Sequence, residues 1–211
     1  MARTGRPRGF DKDEAVGQAM MLFWDQGYEA TSLAQLKAAM GDISPASFYA
    51  AFGSKEALFS AVLDLYLDTH GRVSLPLSDP ALPPRDAIEK ALRLSARMQT
   101  DRTHPLGCLV VQSASTCSPG NRHIQARLAA ERDRNRARLR GCVERAIALG
   151  ELPRSIDPAG FAATFDTFLV GLATQARDQV PLAALEAAVT GLMRVWDVLS
   201  VPAEAPVRPQ R

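Results

Sequence analysis

The chain has 211 residues, of which 46% are hydrophobic and 23% are charged, and its formal net charge at pH 7 is +2. A chain of this length and composition can bury a substantial core, and so small a net charge does not by itself indicate a nucleic-acid binder. The sequence contains neither a run of eighteen or more apolar residues nor an apolar secretory leader at its start. We therefore expect a soluble globular protein, with no membrane partner, in the cytoplasm.

The basic residues at the start of the chain form a distinct segment. Arg3, Arg6 and Arg8 lie among glycine and proline without any acid, whereas residues 11–60 carry three lysines against seven acids. Residues 1–9 are predicted to be a flexible arm. Two interpretations remain open, a disordered terminus or an arm that reaches DNA phosphates or the minor groove.

Residues 10–70 are predicted to form the DNA-binding domain, and its first three helices each have a recognisable start. Asp11 with Glu14 three residues later resembles a capping box, and Gly27 ends the apolar periodicity that follows. Thr31-Ser32 offers a second cap. Ser44 followed by Pro45 is a third, because proline at the first helical position loses no hydrogen bond.

The second and third of these helices are separated only by a short turn. Gly41-Asp42 breaks the apolar stripe of the second helix, and the third ends at Gly53 before Ser54 caps a longer helix. Two helices joined by a short turn that contains glycine form a helix-turn-helix. The sequence therefore predicts a DNA-binding unit.

Several residues of this region resemble the N-terminal DNA-binding domain of the TetR family of transcriptional regulators. The matching positions are Gly27-Tyr28, Thr31-Ser32, Leu36, Gly41, Ile43-Ser44, Phe48-Tyr49, Phe52 and Ser54-Lys55-Glu56. The sequence departs from the family pattern at Ala46, where glycine is usual, at Ala51, and at Asp42, which lengthens the turn by one residue.

The resemblance implies which residues meet DNA. Tyr49 and Lys55 correspond to phosphate contacts and Thr31 to a backbone contact at the start of the second helix. The groove-facing side of the recognition helix would consist of Ser44, Pro45, Ala46, Ser47 and Ala50. Mostly small side chains there favour hydroxyl and methyl contacts and shape readout over bidentate arginine pairs.

The remainder of the chain also has helical periodicity. Four prolines between Val73 and Pro84 predict a loop, so we place a boundary there, with an effector-binding and dimerisation domain at residues 71–201 and a disordered tail at 202–211. Helices are predicted over 86–100, 106–117 and 121–149. The last of these carries eight arginines, which the helical rotation spreads around its circumference, and this favours a solvated or interface helix over a phosphate-binding stripe.

Two apolar helices complete the domain, one opened by Asp157-Pro158 and one following Pro181. In the second, large residues recur at intervals of three and four, which resembles a heptad seam. We predict that it forms a dimer interface, with an internal core as the alternative. The predicted interface residues are Phe161, Leu185, Val189, Leu192 and Trp196.

The fold class that follows is all-α. The resemblance implies a homodimer that binds a palindromic double-stranded DNA operator as a repressor and is released by a small hydrophobic effector. We expect the effector in a cavity lined by residues such as Cys108, Phe165 and Phe168. No cofactor is expected.

Two other functions were weighed. The three cysteines, Cys108, Cys117 and Cys142, are too few for a disulfide framework, but a cysteine-based redox or electrophile sensor of the same fold remains an alternative. A helical small-molecule-binding or protein-interaction module without DNA function is a weaker one. The sequence contains no glycine-rich phosphate loop, no nucleophile elbow and no metal-spaced ligand set, so neither a catalytic nor a metal site is predicted.

Overall fold

The computed structural model describes residues 11–114 and 118–200, and within those ranges every regular element is helical. The α-helices are α1 (Lys12–Ala30), α2 (Leu33–Ala39), α3 (Pro45–Phe52), α4 (Lys55–Asp68), α5 (Pro84–Thr100), α6 (Leu109–Ala114), α7 (Arg122–Ala148), α8 (Pro158–Arg177) and α9 (Leu182–Leu199). Two 3₁₀ segments, His70–Ser78 and Pro119–Asn121, precede α5 and α7. The predicted all-α class is confirmed.

The predicted helix starts are confirmed by side-chain hydrogen bonds. The Asp11 carboxylate accepts from the backbone N–H groups of the first turn of α1, and Ser44 and Ser54 cap α3 and α4. Ser32 and Gln35 form a complete capping box on α2. Each bond satisfies an amide that the helix itself leaves unpaired.

Two predicted elements differ from the structure. The 3₁₀ segment His70–Ser78 occupies the first part of the stretch predicted as a loop, and its Leu77 is buried. Helix α6 begins at Leu109 instead of residue 106, because Gly107 has a φ of 87° that no helix accommodates. The arm, with Arg3, Arg6 and Arg8, and the tail and Cys117 lie outside the described residues.

Helices α1 to α4 form the head, whose core is aromatic. Phe23 and Phe59 meet edge to face with ring centroids 5.0 Å apart, and Phe48 holds α3 on its neighbours. The same core continues into α6 and the start of α7 through Leu109 and Leu128. The helices after residue 71 therefore complete the hydrophobic core of the head.

The body, formed by α5 and α7 to α9, has its own core. Phe165 and Trp196 are buried at its centre, with Phe161 packed against both rings. Helix α7 spans both units, since Arg127 binds Ser60 and Asp64 of α4 at one end while Leu139 is buried in the body at the other.

The arginines of α7 mostly bond within the protein. Arg134 and Arg136 pair with acids on the same helix, and Arg145 donates to the carbonyl oxygen of Leu82 over 2.8 Å. Arg138 donates to the Ser74 hydroxyl over 3.2 Å. These contacts agree with the interpretation of α7 as a solvated or interface helix.

Candidate DNA-binding face and effector cavity

Helix α3 presents a continuous exposed face. Six residues predicted to face DNA are exposed, namely Ser44, Pro45, Ala46, Ser47, Tyr49 and Ala50. Phe48 and Phe52 of the same helix are buried. Tyr49 is 52% exposed and meets the Phe48 ring edge to face at 5.6 Å. The core side of α3 thus fixes the orientation of the face that remains free for a partner.

The turn before α3 uses two consecutive residues in the left-handed region, Gly41 with φ 82° and Asp42 with φ 57°. Aspartate is one of the few non-glycine residues that tolerate this conformation. The additional turn residue is therefore accommodated without disturbing the Ser44 cap, whose hydroxyl accepts from the Ser47 N–H over 3.0 Å.

Thr31 does not lie on this surface. It is fully buried, and its hydroxyl donates to the carbonyl oxygen of Gly27 over 2.7 Å. That bond closes the end of α1, where Gly27 leaves the helical conformation with φ 79°. The side chain of Thr31 is therefore engaged inside the head and is not available to a phosphate, which corrects its assignment as a DNA contact.

Lys55 sits beside the recognition helix at the start of α4. Its ammonium lies 4.4 Å from the centre of the Tyr28 ring, and partial burial lowers its pKa, an effect that nearby Glu29 opposes. The Glu29 carboxylate accepts from Asn121 over 2.7 Å and from the Ser118 N–H, and these bonds lower the pKa of Glu29. Lys55 is thus positioned by the ring and remains partly exposed.

A cavity of about 120 Å³ lies between the head and the body. Its walls come from α4, the first 3₁₀ segment and α5 to α8. Cys108 lines the cavity, as predicted, and the Tyr66 hydroxyl donates to its Sγ over 3.4 Å. Burial raises the pKa of Tyr66 well above its usual value, so this hydroxyl stays protonated.

The two phenylalanines assigned to the cavity lie elsewhere, which corrects that prediction. Phe165 is fully buried against Trp196 in the body core, and Phe168 borders a groove between α8 and α9. Helix α8 turns its Asp166 and Leu169 toward the cavity instead. Sequence spacing identified the apolar face of α8 but not which element covers it.

Several polar residues of the cavity were not predicted as site residues. Gln99 of α5 is only 4% exposed, and its Oε1 has no hydrogen-bond partner among the described residues. The same holds for Nη1 of Arg132 and Oδ1 of Asn135 on α7, and all three residues line the cavity. Burial raises the pKa of Asp166 nearby. The available signal was the glutamine that follows Ser95 on the buried stripe of α5.

Five residues form a junction cluster between head and body, namely Trp24, Asp25, Gly107, Gln112 and Arg177. Trp24 Nε1 donates to the Gly107 carbonyl oxygen over 3.2 Å. Arg177 donates to the Asp25 carbonyl oxygen over 3.0 Å and to Gln112 Oε1 over 2.6 Å.

The junction cluster also connects to the cavity. The Gly107 N–H donates to the carbonyl oxygen of Gln99 over 2.8 Å, so one residue bonds to both the cavity wall and the head. A Cβ on Gly107 would lie 2.4 Å from Gln112 Nε2 and 2.9 Å from the Ala173 carbonyl oxygen. Only glycine fits there.

The predicted dimer seam on α9 belongs to the body core. Leu185, Val189 and Trp196 are at most 5% exposed in the single chain, and Phe161 and Leu192 pack partly buried against the same core. The regular spacing of large residues therefore reflects packing of α9 on α5 and, through Trp196, on Phe161 and Phe165 of α8. The alternative interpretation, an internal core, is the correct one for Leu185, Val189 and Trp196, whereas Phe161 and Leu192 remain partly exposed.

A second stripe on α9 is exposed. Each of its residues directly precedes a residue of the predicted seam in the sequence. The stripe consists of Ala184, Ala188, Gly191, Val195 and Val198. Val195 and Val198 are 45% and 83% exposed. Gly171 of α8 lies beside it in the groove that Phe168 borders. An exposed apolar stripe with small residues marks a surface suited to close helix packing.

Of the cysteines, Cys142 is buried and donates to the Leu77 carbonyl oxygen over 3.2 Å, and burial raises the pKa of its thiol. This environment disfavours the reactive thiolate. Among the described residues there is no cluster of histidine, cysteine and carboxylate side chains suited to a metal ion. The described helices also include none that is long and apolar enough to cross a bilayer.

An exposed recognition helix on a small head, joined to a helical body with a cavity between the two, defines the class of ligand-responsive helix-turn-helix transcriptional regulators. Family models agree with this class. Residues 16–62 match "Bacterial regulatory proteins, tetR family", and residues 85–192 match "Tetracyclin repressor-like, C-terminal domain". The chain belongs to the TetR family of transcriptional regulators.

Two of the relatives that resemble this protein cover nearly the whole chain. The repressor ComR of Escherichia coli K12 is 33% identical over 199 residues, which are 92% of this chain and 93% of ComR. The repressor BdcR of the same organism is 36% identical over 57% of this chain and 60% of its own length. A cysteine mutant of the TetR-family regulator CifR, complexed with 26-base-pair operator DNA, has 42% identity and a TM-score of 0.83, covering 90% of this chain and all of that one.

Proposed function

We propose that this protein is a cytoplasmic repressor that binds a palindromic DNA operator as a homodimer and leaves it when a small molecule enters the cavity. The observation that carries the proposal is the continuous exposed face of α3, held from beneath by Phe48 and Phe52. Two recognition helices related by a two-fold axis would enter successive major grooves of a palindrome. The operator complex of the CifR mutant supports this mode of binding.

Each part of the face has a proposed role. Tyr49 and Lys55 contact phosphates, and the arm residues Arg3, Arg6 and Arg8 add contacts next to the groove. Ser44, Pro45, Ala46, Ser47 and Ala50 lie against base edges, where their hydroxyl and methyl groups read sequence and shape. Thr31 is left out because its side chain is buried and bonded.

Dimerisation is assigned to the exposed stripe of α9 together with the neighbouring surface of α8. Two copies of this helix pair would form a four-helix bundle, with the small residues at Gly171 and Gly191 allowing close approach. The stripe replaces the buried seam as the proposed interface because only exposed side chains can meet a second protomer.

Release of DNA is assigned to the junction cluster. Gly107 bonds to Gln99 in the cavity wall on one side and to Trp24 in the head on the other. A ligand that displaces the Gln99 end of α5 would therefore move the head relative to the body and change the spacing of the two recognition helices. Such a ligand must bind the two arrangements with different affinity.

The test begins with selection of genomic DNA fragments by the purified protein, followed by sequencing and gel shifts on the selected palindrome. Tyr49→Ala should weaken binding by about 1–3 kcal/mol per site through loss of phosphate contact. Tyr49→Phe, which removes only the hydroxyl, should lose most of the same binding energy, and Leu75→Ala, which truncates an exposed side chain outside the head, is the matched control. Failure to select any palindrome, or equal affinity for Tyr49→Ala and the wild type at matched salt, contradicts the proposal.

A further inference from the structure

The cavity between head and body has an uneven distribution of polarity. Much of its wall is apolar, including Leu67, Met98 and Leu169, but Gln99 brings an uncharged amide into that wall. At 4% exposure, Gln99 is removed from solvent, and its side-chain oxygen has no partner among the described residues. A buried polar atom left without a hydrogen bond is costly, so this position calls for an explanation.

The unpaired oxygen is not required by the fold. What ties Gln99 to the junction cluster is its backbone carbonyl, which accepts from the Gly107 N–H over 2.8 Å. A leucine or methionine at this position could make the same backbone bond and fill the same space without an unsatisfied group. The side-chain amide is therefore available to bind a molecule in the cavity.

The charged residues that line the cavity cancel one another. Glu131 and Asp166 line the wall together with Arg132 and Arg138, so the formal charges of the lining residues sum to zero, although both acids also contact arginines outside the wall, Arg134 and Arg136. The unpartnered polar atoms of the wall are one donor, Arg132 Nη1, and two acceptors, Gln99 Oε1 and Asn135 Oδ1, a mixture that a hydroxyl group can satisfy without bringing a charge into the cavity. An uncharged ligand fits best, since burying an unpaired ion is expensive.

We propose that the cavity binds an uncharged amphipathic molecule with an apolar body and a hydroxyl group that hydrogen-bonds to the side chain of Gln99. The cavity of about 120 Å³ limits the buried part to about five or six non-hydrogen atoms, because an engineered cavity of about 150 Å³ holds the six carbons of benzene. A hydroxyl suits the site because it donates and accepts, and the amide can rotate to present either its oxygen or its nitrogen.

This proposal rests on the assignment of the cavity as the effector site, and it makes that assignment more specific. The expected effector is then not only hydrophobic, because its hydroxyl group determines whether it binds. Gln99 becomes the specificity-determining residue. The backbone carbonyl of Gln99 accepts from Gly107, and the Gly107 carbonyl accepts from Trp24 in the head. The residue that recognises the hydroxyl is therefore also connected to the head by hydrogen bonds.

The test uses pairs of probe molecules that differ only by a hydroxyl in place of a methyl group: phenol with toluene, cyclohexanol with methylcyclohexane, and benzyl alcohol with ethylbenzene. Binding to the full-length, DNA-free protein is measured by titration calorimetry. In the wild type at least one hydroxyl-bearing probe should bind. In Gln99→Leu and Gln99→Met, the affinity ratio of that probe to its methyl partner should fall about tenfold or more, as expected when a buried hydrogen bond is lost.

Controls separate recognition from damage to the fold. Gln125→Leu makes the same replacement at an exposed site on α7 and should leave the ratio unchanged. The two Gln99 variants should melt at or above the wild-type temperature, because they remove an unsatisfied buried group, and having two of them covers the case in which one misfolds. A ratio that is unchanged in the Gln99 variants, or no binding by any hydroxyl-bearing probe, overturns the proposal.

Failure here is distinguishable from failure of the proposed function, because calorimetry without DNA does not depend on operator binding. A protein that selects a palindrome but shows no dependence on Gln99 retains the regulatory function and loses the hydroxyl specificity. A protein that shows the Gln99 dependence but selects no DNA does the reverse.

Discussion

Replacing Trp24 with phenylalanine tests whether the junction cluster joins head and body energetically. Trp24 is completely buried, its ring stacks on His104 with centroids 4.3 Å apart, and its Nε1 donates to the buried Gly107 carbonyl oxygen. The phenylalanine ring keeps most of the aromatic packing but lacks the N–H donor. The variant therefore removes one cross-unit hydrogen bond at a defined point.

The expected cost has two contributions. Two ring carbons removed from the core account for about 1.5 kcal/mol of lost transfer free energy. The carbonyl oxygen of Gly107, left buried without its donor, adds about 1–2 kcal/mol. The free energy of unfolding should therefore fall by about 3 kcal/mol.

Trp196→Phe is the matched control. It removes the same ring atoms from an equally buried tryptophan that packs on Phe161 and Phe165 within the body. Its transfer cost should be about 1.5 kcal/mol, with no bond lost between head and body. Urea unfolding of both variants at one protein concentration gives the comparison, since the stability of a dimer depends on concentration. Equal destabilisation by the two replacements would refute the energetic role assigned to the Trp24 bond.

Four further outcomes are expected. Val195→Glu combined with Val198→Glu should give folded monomers by light scattering. Leu149→Glu, at another exposed apolar site, should stay dimeric. A dimer that persists in the double variant would place the interface elsewhere. Gly107→Ala should lose at least about 2 kcal/mol of stability in thermal unfolding, because φ 87° and the neighbouring atoms leave no room for a methyl group. Burial, and after it the neighbouring His104, lower the pKa of His70. As the pH falls below about 6.5, the unfolded chain therefore takes up a proton at this residue before the folded protein does, and the free energy of unfolding declines. His70→Phe should flatten that part of the plot of stability against pH, and an unchanged slope would contradict this. Replacement of all three cysteines by serine or alanine should leave effector-dependent release of DNA intact in gel shifts, and loss of release with retained operator affinity would favour the thiol-sensing alternative.

The local elements of the head could be predicted from the sequence because their signals are local. A serine or aspartate before a helical stripe needs only its own first turn to act as a cap, and Asp11, Ser32, Ser44 and Ser54 all do so. Likewise the exposed side of α3 follows from the burial of Phe48 and Phe52 four residues apart. Thr31 was misassigned because the bond it makes to Gly27 depends on how α1 ends.

The body shows where such inference stops. Periodicity on α9 correctly identified a buried stripe through Leu185, Val189 and Trp196, but an apolar stripe does not reveal whether its own chain or a second copy covers it. The exposed stripe beside it is built of alanine, glycine and valine, which carry a weak hydrophobic signal. The cavity was harder still, since Gln99 comes from α5 and Arg132 and Asn135 come from α7, and they meet only in the folded protein.

The junction cluster has a consequence for how relatives of this protein can diverge. Trp24 donates to the main-chain oxygen of Gly107, and Arg177 donates to the main-chain oxygen of Asp25. Every residue type carries such an oxygen. The side chain at position 25, whose carboxylate lies 3.9 Å from the same guanidinium, can therefore change while the main-chain contact survives, and mutational constraint falls mainly on the tryptophan, the arginine and the glycine. A chimera that joins the head of one relative to the body of another should keep this contact wherever those three residues are present.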